Sequence, residues 1–168
     1  IEQPDVPLWA VWALQQYAKE TSKEECFKKY GQFIKDVISF IQDNKHPNLK
    51  LEENGLLYTD GRDKAVTWMN STANGRPVVP RTGYIVEFNA LWYNALCFCA
   101  SLAATVGEED SQQQLLAQAE KTKQAFLDTF LNEYGYLYDY VDGNMMDWSV
   151  RPNMIFAVAF DYSPLSQD

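Results

Sequence analysis

Two kinds of helical segment alternate along this chain, and the alternation restricts the folds that it can adopt. Residues 87–106 are apolar nearly all round a helix, whereas the segments that begin near residues 21 and 110 carry one apolar stripe opposite charged side chains. A helix without a polar face has to be buried, and an amphipathic helix lies at the surface. Residues 7–19 and 152–160 also lack a polar face, so the predicted order is buried, amphipathic, buried, amphipathic, buried.

The connections between these segments differ in length in a regular way. Links out of the apolar helices are short, and links back into them are long, at about residues 44–84 and 132–150. This pattern predicts one partial domain, residues 1–168, with concentric layers of helices and the long loops at one end; a plain helical array is the alternative. Polar side chains of these loops should then converge on one mouth, and they are Asp5, Asn70, Arg81, Glu87, Asp139, Asp142 and Arg151.

Short β elements are expected within the long loops. The Asn54-Gly55 pair, flanked by alternating apolar residues, predicts a hairpin. Residues 136–141 favour a strand, and residues 59–83 are expected to form an irregular loop.

Charge and cysteine content exclude several classes of partner. The formal net charge of −9 argues against nucleic acid, because binding there depends on Lys and Arg at the phosphates. Cys26, Cys97 and Cys99 lack the spacing of zinc or redox pairs, so we expect reduced, buried thiols in a cytoplasmic protein. The single His46 lies in a predicted surface loop, and neither a metal site nor a cofactor is expected. No apolar run suits a membrane span.

Residues 66–94 hold the densest concentration of polar and aromatic side chains. A loop rich in Pro and Gly delivers Trp, Tyr, Arg, Glu and Asn side chains to the start of a helix. Such loops often form sites for polar, ring-shaped ligands, and sugar rings stack on the flat faces of Tyr and Trp. We therefore expect a carbohydrate site; a structural loop that tucks two Trp under a helical domain is the alternative.

Five motifs resemble those of one known family. They are Pro4-Asp5-Val6-Pro7-Leu8-Trp9, Thr67-Trp68-Met69-Asn70, Val79-Pro80-Arg81-Thr82-Gly83, the run at residues 86–96, and Arg151-Pro152-Asn153-Met154. The family is the C-terminal glucosidase domain of glycogen debranching enzymes, the amylo-α-1,6-glucosidases. The likeness covers essentially the whole chain.

The resemblance implies an all-α fold, an (α/α)6 barrel of which this fragment carries about five helices. It also implies hydrolysis of α-1,6 branch points in glycogen-like α-glucans by an inverting mechanism, which needs two carboxyl groups. Asn70 stands at the position of the family's general acid, and an amide cannot deliver a proton as a carboxylic acid does. Glu87 and Asp142 are candidate substitutes, and the general base is expected beyond this chain. The open edge of a partial barrel is expected to favour self-association.

Several candidate residues allow two interpretations. Trp68 and Trp92 suit stacking on sugar rings or filling the core. Arg81 and Arg151 either bind hydroxyl groups and orient carboxylates or form salt bridges within the loops. With Asn70 and Glu87 in the catalytic positions, the expected substrate contacts are Asp5, Trp9, Trp68, Arg81, Asn89, Trp92, Tyr93, Asp142, Arg151 and Asn153.

Two further functions are alternatives to an enzyme fragment. A catalytically silent glucan-binding homologue, with Asn70 in place of the acid, is one alternative. A helical scaffold without a sugar site is the other alternative. Asn89 and Asn153, in first helical turns, either cap their helices or reach a ligand. The loop over the barrel mouth is expected to be packed mostly by Tyr134, Tyr136, Tyr138 and Tyr140.

Overall fold

The computed structural model describes residues 3–166 and shows a mixed α/β fold. Its helices are α1 (Val6–Glu20), α2 (Lys23–Gln42), α3 (Val86–Thr105), α4 (Glu109–Phe130) and α5 (Ile155–Ala159), with a 3-10 helix at Pro152–Met154. Its strands are β1 (Lys50–Leu51), β2 (Leu57–Thr59), β3 (Thr72–Ala73), β4 (Arg76–Pro77), β5 (Gly83–Ile85), β6 (Tyr140–Asp142) and β7 (Met145–Met146). The predicted all-α class, with its (α/α)6 barrel, is therefore wrong for this chain.

Five strands form one antiparallel sheet in the order β1-β2-β5-β6-β7, and β3 pairs with β4 separately. β1 and β2 form the hairpin predicted at Asn54-Gly55. Tyr84 of β5 pairs with Tyr58 of β2 on one side and with Val141 of β6 on the other. Because β5 runs directly into α3, the sheet lies at the end of the molecule where α3 begins.

The sheet is hard to predict because its strands are very short. Each has two or three residues, too few for an alternation of buried and exposed side chains to stand out. β6 lies at the far end of the strand predicted at residues 136–141. The β3–β4 hairpin lies inside the stretch expected to be irregular, although its Asn74-Gly75 turn, with φ of 51° and 77°, is a recognised hairpin signal.

Helix α3 is the centre of the fold, as its all-round apolar sequence predicts. It is buried along nearly its whole length and packs against α1, α2, α4, α5 and the strands β2 and β5. Asn94, a polar residue of its buried surface, exchanges hydrogen bonds of 2.7 and 3.3 Å with the side-chain amide of Gln15 on α1. The buried amides therefore keep their hydrogen bonds inside the core.

The other helices cover α3 with single faces. Helices α2 and α4 each bury one stripe, as predicted, and the Ser22 hydroxyl caps α2 by accepting a hydrogen bond from the backbone N–H of Glu25 (3.0 Å). The prediction is wrong for α1, which buries one stripe only, and for α5, where Ile155 and Val158 are mostly exposed. Apolar composition alone therefore did not distinguish a buried helix from a half-buried one.

Asn89 ties α3 to the sheet. Its fully buried amide accepts a hydrogen bond from the backbone N–H of Leu57 (2.7 Å) and donates to the carbonyls of Leu57 (3.2 Å) and Ile85 (3.1 Å). The side chain thus satisfies the backbone of β2 in the way that a neighbouring strand would. Gly83 allows β5 and β6 to approach, since it has a φ of 92° and a Cβ there would lie 2.3 Å from the carbonyl oxygen of Val141.

Residues 3–166 contain no helix that is both long and apolar enough to cross a membrane. They also contain no group of three or more His, Cys, Asp or Glu side chains arranged to hold a metal ion. Cys26, Cys97 and Cys99 are free thiols and are buried, as predicted.

Candidate functional site

A buried arginine connects the start of α3 to the sheet. Arg81, in the loop before β5, forks onto Glu87 in the first turn of α3, with Nη1 on Oε1 and Nη2 on Oε2 (2.6 Å). Its other edge donates to Asp139, from Nε to Oδ2 at 2.9 Å and from Nη2 to Oδ1 at 3.1 Å. All three side chains are at least 98% buried. The structure thus brings together Arg81, Glu87 and Asp139, three of the seven residues expected at one mouth, but it places them in the interior.

Local chain geometry explains how these groups meet. Pairing of β5 with β6 places Asp139, just before β6, beside the end of β5. The carbonyl of Asp139 accepts a hydrogen bond from the backbone N–H of Val86 (3.1 Å), so backbone and side-chain contacts join the same two segments. Glu87 also lies in the first turn of α3, where the helix dipole favours a negative charge.

Burial and charge act against each other within this cluster. Burial alone would lower the pKa of Arg81, but the hydrogen bonds and charges of Glu87 and Asp139 raise it, so the guanidinium stays charged. Burial raises the pKa of Glu87, and the forked bonds from Arg81 oppose that rise. A buried charge is tolerated only with partners of this kind.

The cluster extends towards solvent through Asp139. Arg151 donates from Nη1 to Asp139 Oδ2 (2.7 Å) and to Asp147 Oδ1 (3.0 Å), and its side chain is 20% exposed. Burial alone would raise the pKa of Asp147, but hydrogen bonds from Ser149 and the charge of Arg151 lower it. Two guanidinium groups therefore face three carboxylates, which leaves an excess of negative charge.

An exposed tryptophan is anchored by the same network. Asn153, fully buried, donates from Nδ2 to Asp139 Oδ1 (2.7 Å) and accepts a hydrogen bond from the indole N–H of Trp68 at 2.8 Å. Trp68 is nevertheless 55% exposed. Its ring orientation is thus fixed from one edge while a large part of its surface remains available to a ligand.

Asn70 lies on the surface beside Trp68. Its backbone N–H donates to the carbonyl of Trp68 (3.0 Å), and its side chain lines an open cavity of about 360 Å³ together with Asp63, Lys64, Ala65, Thr72, Gly75 and Pro77. The β3–β4 hairpin forms one wall of this cavity. The position expected to hold the general acid is therefore open to solvent.

Asp5 is a buried carboxyl at the start of α1. It is 8% exposed, and its Oδ2 accepts a hydrogen bond from the indole N–H of Trp9 (2.9 Å). Trp9 in turn meets the rings of Phe156 and Phe160 edge-on. Burial raises the pKa of Asp5, and the Trp9 hydrogen bond and the positive charge of Arg81 only partly oppose this rise.

Other residues expected at the site lie elsewhere or have structural partners. The side chain of Asn89 forms its hydrogen bonds with the backbone of β2 and of the end of β5. Trp92 is fully buried within α3. Tyr93 lies on the part of α3 that faces α4, and burial and the neighbouring Cys97 raise its pKa. Asp142, on β6, accepts a hydrogen bond from the hydroxyl of Tyr58 (3.1 Å).

Two residues of the network were not predicted as catalytic or substrate-binding residues, although Asp139 was expected at the mouth. Asp139 bonds to Arg81, Arg151 and Asn153, and Asp147 continues the chain of ion pairs. A signal for Asp139 exists, because an acidic residue that interrupts a run of Tyr and Val before a buried strand needs a cationic partner. Asp147 precedes Arg151 by four residues, a spacing that indicates contact only within a helix.

We expect removal of the buried guanidinium to destabilise the fold strongly. Arg81→Met leaves Glu87 buried without its guanidinium partner and leaves Asp139 with Arg151 alone as its cationic partner. Breaking a buried pair in this way costs about 3–5 kcal/mol in the free energy of unfolding. Arg62→Met is the control, because Arg62 pairs with Asp60 at the surface (2.6 Å) and such pairs contribute about 1 kcal/mol or less. Urea denaturation measures both. Equal losses in the two variants would show that the buried cluster is not a special source of stability.

Asp5 is expected to make stability depend on pH. Its folded pKa lies above the ordinary value of 3.8, so the folded state retains a proton that the unfolded chain releases, and its contribution falls as pH rises through this window. Asp5→Asn removes the pH-dependent contribution of this carboxyl. The free energy of unfolding of the variant, minus that of the unsubstituted chain, should therefore rise with pH from about 4 upward. Urea titrations at several pH values test this, with exposed Asp36→Asn as control. A difference in free energy of unfolding that does not change with pH for Asp5→Asn would contradict this prediction.

Comparison with known proteins identifies the family. The family model described as amylo-alpha-1,6-glucosidase matches residues 2–168, nearly the entire chain. A comparison with curated proteins gives no match. The family match covers every residue of the network around Arg81 and Asp139, and Asn70 as well. The chain belongs to the amylo-α-1,6-glucosidase family.

Proposed function

We propose that this chain carries part of the glucan site of a protein that hydrolyses α-1,6 branch points in glycogen-like α-glucans. The observation that carries the proposal is the half-exposed indole of Trp68, anchored to a buried polar network through Asn153. An aromatic face held in one orientation suits stacking on a sugar ring. The match to amylo-α-1,6-glucosidases supports a glucan as the ligand. The buried free thiols suit a cytoplasmic location.

The proposed role of each residue in the network follows from the solvent exposure of its side chain. Trp68 stacks on a glucose ring, and Arg151 and Asp147, which are partly exposed, reach its hydroxyl groups. Glu87, Arg81 and Asp139 are too deeply buried for contact and act as positioning residues. The network as a whole has three carboxylates and two guanidinium groups, and this excess of negative charge also favours the oxocarbenium-like transition state of glycoside hydrolysis.

The identity of the proton donor separates two forms of this proposal. An inverting glycosidase needs a general acid, and Asn70 cannot serve as one. Glu87 is too deeply buried to reach a leaving glycosidic oxygen, and both its carboxylate oxygens are already bonded to Arg81. These observations support a second candidate function, a glucan-binding homologue without turnover.

Trp68 should be required for glucan binding. Trp68→Ala removes the stacking face and is expected to weaken binding of a branched limit dextrin roughly tenfold, the effect of about 1.4 kcal/mol. Phe33→Ala is the control, because Phe33 is 47% exposed on α2. Isothermal titration calorimetry measures both variants. An unchanged affinity for Trp68→Ala would exclude Trp68 from the site, and no binding by the unsubstituted chain would favour a scaffold without a sugar site.

Restoring the carboxyl group at position 70 tests the catalytic form. In the complete protein that contains this chain, Asn70→Asp is expected to raise glucose release from a branched dextrin at least tenfold, since general acid catalysis contributes about 10²–10⁴-fold. Asn74→Asp, in the nearby turn, is the matched control. If glucose release does not rise while dextrin binding persists, position 70 does not hold the acid.

A further inference from the structure

Four aromatic rings form a cluster outside the network described above. Trp148, in the loop after β7, meets Tyr138, Tyr134 and Tyr136 edge-on, with ring centroids 4.7, 6.1 and 6.5 Å apart. The tyrosines belong to the turn between α4 and β6. We call these four residues the aromatic platform.

The platform is only partly used for packing. Tyr134 is 72% exposed and Trp148 43% exposed, whereas Tyr136 and Tyr138 are half-buried. The expectation that these tyrosines pack the loop therefore accounts for the inner pair only. A cluster of partly exposed aromatic rings suits a contact site, because burying its apolar surface against a ligand gains free energy.

The backbone holds the platform in one arrangement. The Asn132 side chain accepts hydrogen bonds from the backbone N–H groups of Tyr134 (2.9 Å) and Tyr136 (3.3 Å), and Leu131 pairs with Leu137 across the turn. Gly135 has a φ of 81°, which suits this tight turn. Rings that are already positioned lose little entropy on binding.

Asp147, which precedes Trp148 in the chain, is held by several hydrogen bonds. The backbone of Asp147 bonds to Asp139 (3.0 Å) and Tyr140 (2.9 Å), and its carboxylate bonds to Arg151. The platform is thus connected through one residue to the cluster that anchors Trp68. Two aromatic surfaces are therefore attached to the same buried network.

The chemistry of the platform favours a neutral sugar chain. Residues 132–148 contain four Asp or Glu side chains and no Lys or Arg, which disfavours stacking on nucleic-acid bases, since that needs a cationic groove. Tyr and Trp offer flat apolar faces with polar tips, and a glucose ring offers apolar C–H faces with hydroxyl groups at its rim. Extended aromatic surface suits a chain of several sugars better than one.

We propose that the aromatic platform is a second glucan contact, which binds outer glucose residues of an α-glucan chain while the branch point occupies the site at Trp68. This inference rests on the proposed function. The platform adds affinity for long chains, and a short ligand that fills the Trp68 site does not reach it.

Chain-length dependence of binding tests the proposal. For Trp148→Ala and for Tyr134→Ala, calorimetry should show roughly tenfold weaker binding of maltoheptaose, and less than about a twofold change for the disaccharide isomaltose. Trp148→Phe keeps a flat ring and should retain most of the affinity for maltoheptaose. Phe33→Ala is the surface control. Tyr134→Ala keeps the test valid if Trp148→Ala does not fold, because Tyr134 is largely exposed.

The outcomes separate this inference from the proposed function. Unchanged maltoheptaose binding in both alanine variants overturns the platform, and so does an equal loss for both ligands, which would indicate one shared site. If these variants instead lose only self-association in light scattering, the platform is a protein contact and the inference is wrong. An unsubstituted chain that binds maltoheptaose through Trp148 but not isomaltose overturns the proposed function at Trp68 and supports the platform.

Discussion

The fold depends on one buried guanidinium with two carboxylate partners. Arg81 cannot lie in the interior without Glu87 and Asp139. Glu87 in turn depends on Arg81, whereas Asp139 is shared between Arg81 and Arg151. The three residues come from a loop, the start of a helix and the segment before a strand. Their mutual requirement therefore fixes how the sheet meets α3, an orientation that apolar contacts alone specify less strictly.

The same constraint explains the division between buried and exposed groups at the site. The buried carboxylate of Asp139 accepts hydrogen bonds from Arg151 and Asn153 and so fixes the positions of both side chains. Asn153 in turn fixes the indole of Trp68 by accepting a hydrogen bond from its N–H. Groups that bind a ligand with geometric precision need support of this kind, because a loose side chain loses entropy on binding. Hydrogen bonds thus connect the buried ion pairs to the exposed indole.

Family membership and the state of the site lead to different conclusions about activity. The match over residues 2–168 assigns the chain to the amylo-α-1,6-glucosidases. Under the proposed assignment, Asn70 places an amide at the position of the general acid, while the anchored Trp68 keeps an exposed ring face for stacking on a sugar. Binding and turnover can therefore be lost separately in such a site, because they depend on different side chains.

The sequence by itself determined the central position of α3, the amphipathic faces of α2 and α4, the Ser22 cap and the hairpin at Asn54-Gly55. These features depend on residues that are close together in the chain, so helical periodicity and turn chemistry reveal them. Only the tertiary structure decided that the loops pair as a five-stranded sheet, because the strands are too short to carry a pattern and their partners are distant in sequence. It also decided that Asn89 and Trp92 lie in the core while Trp68 faces solvent, since side chains of the same type suit either place until their neighbours are known.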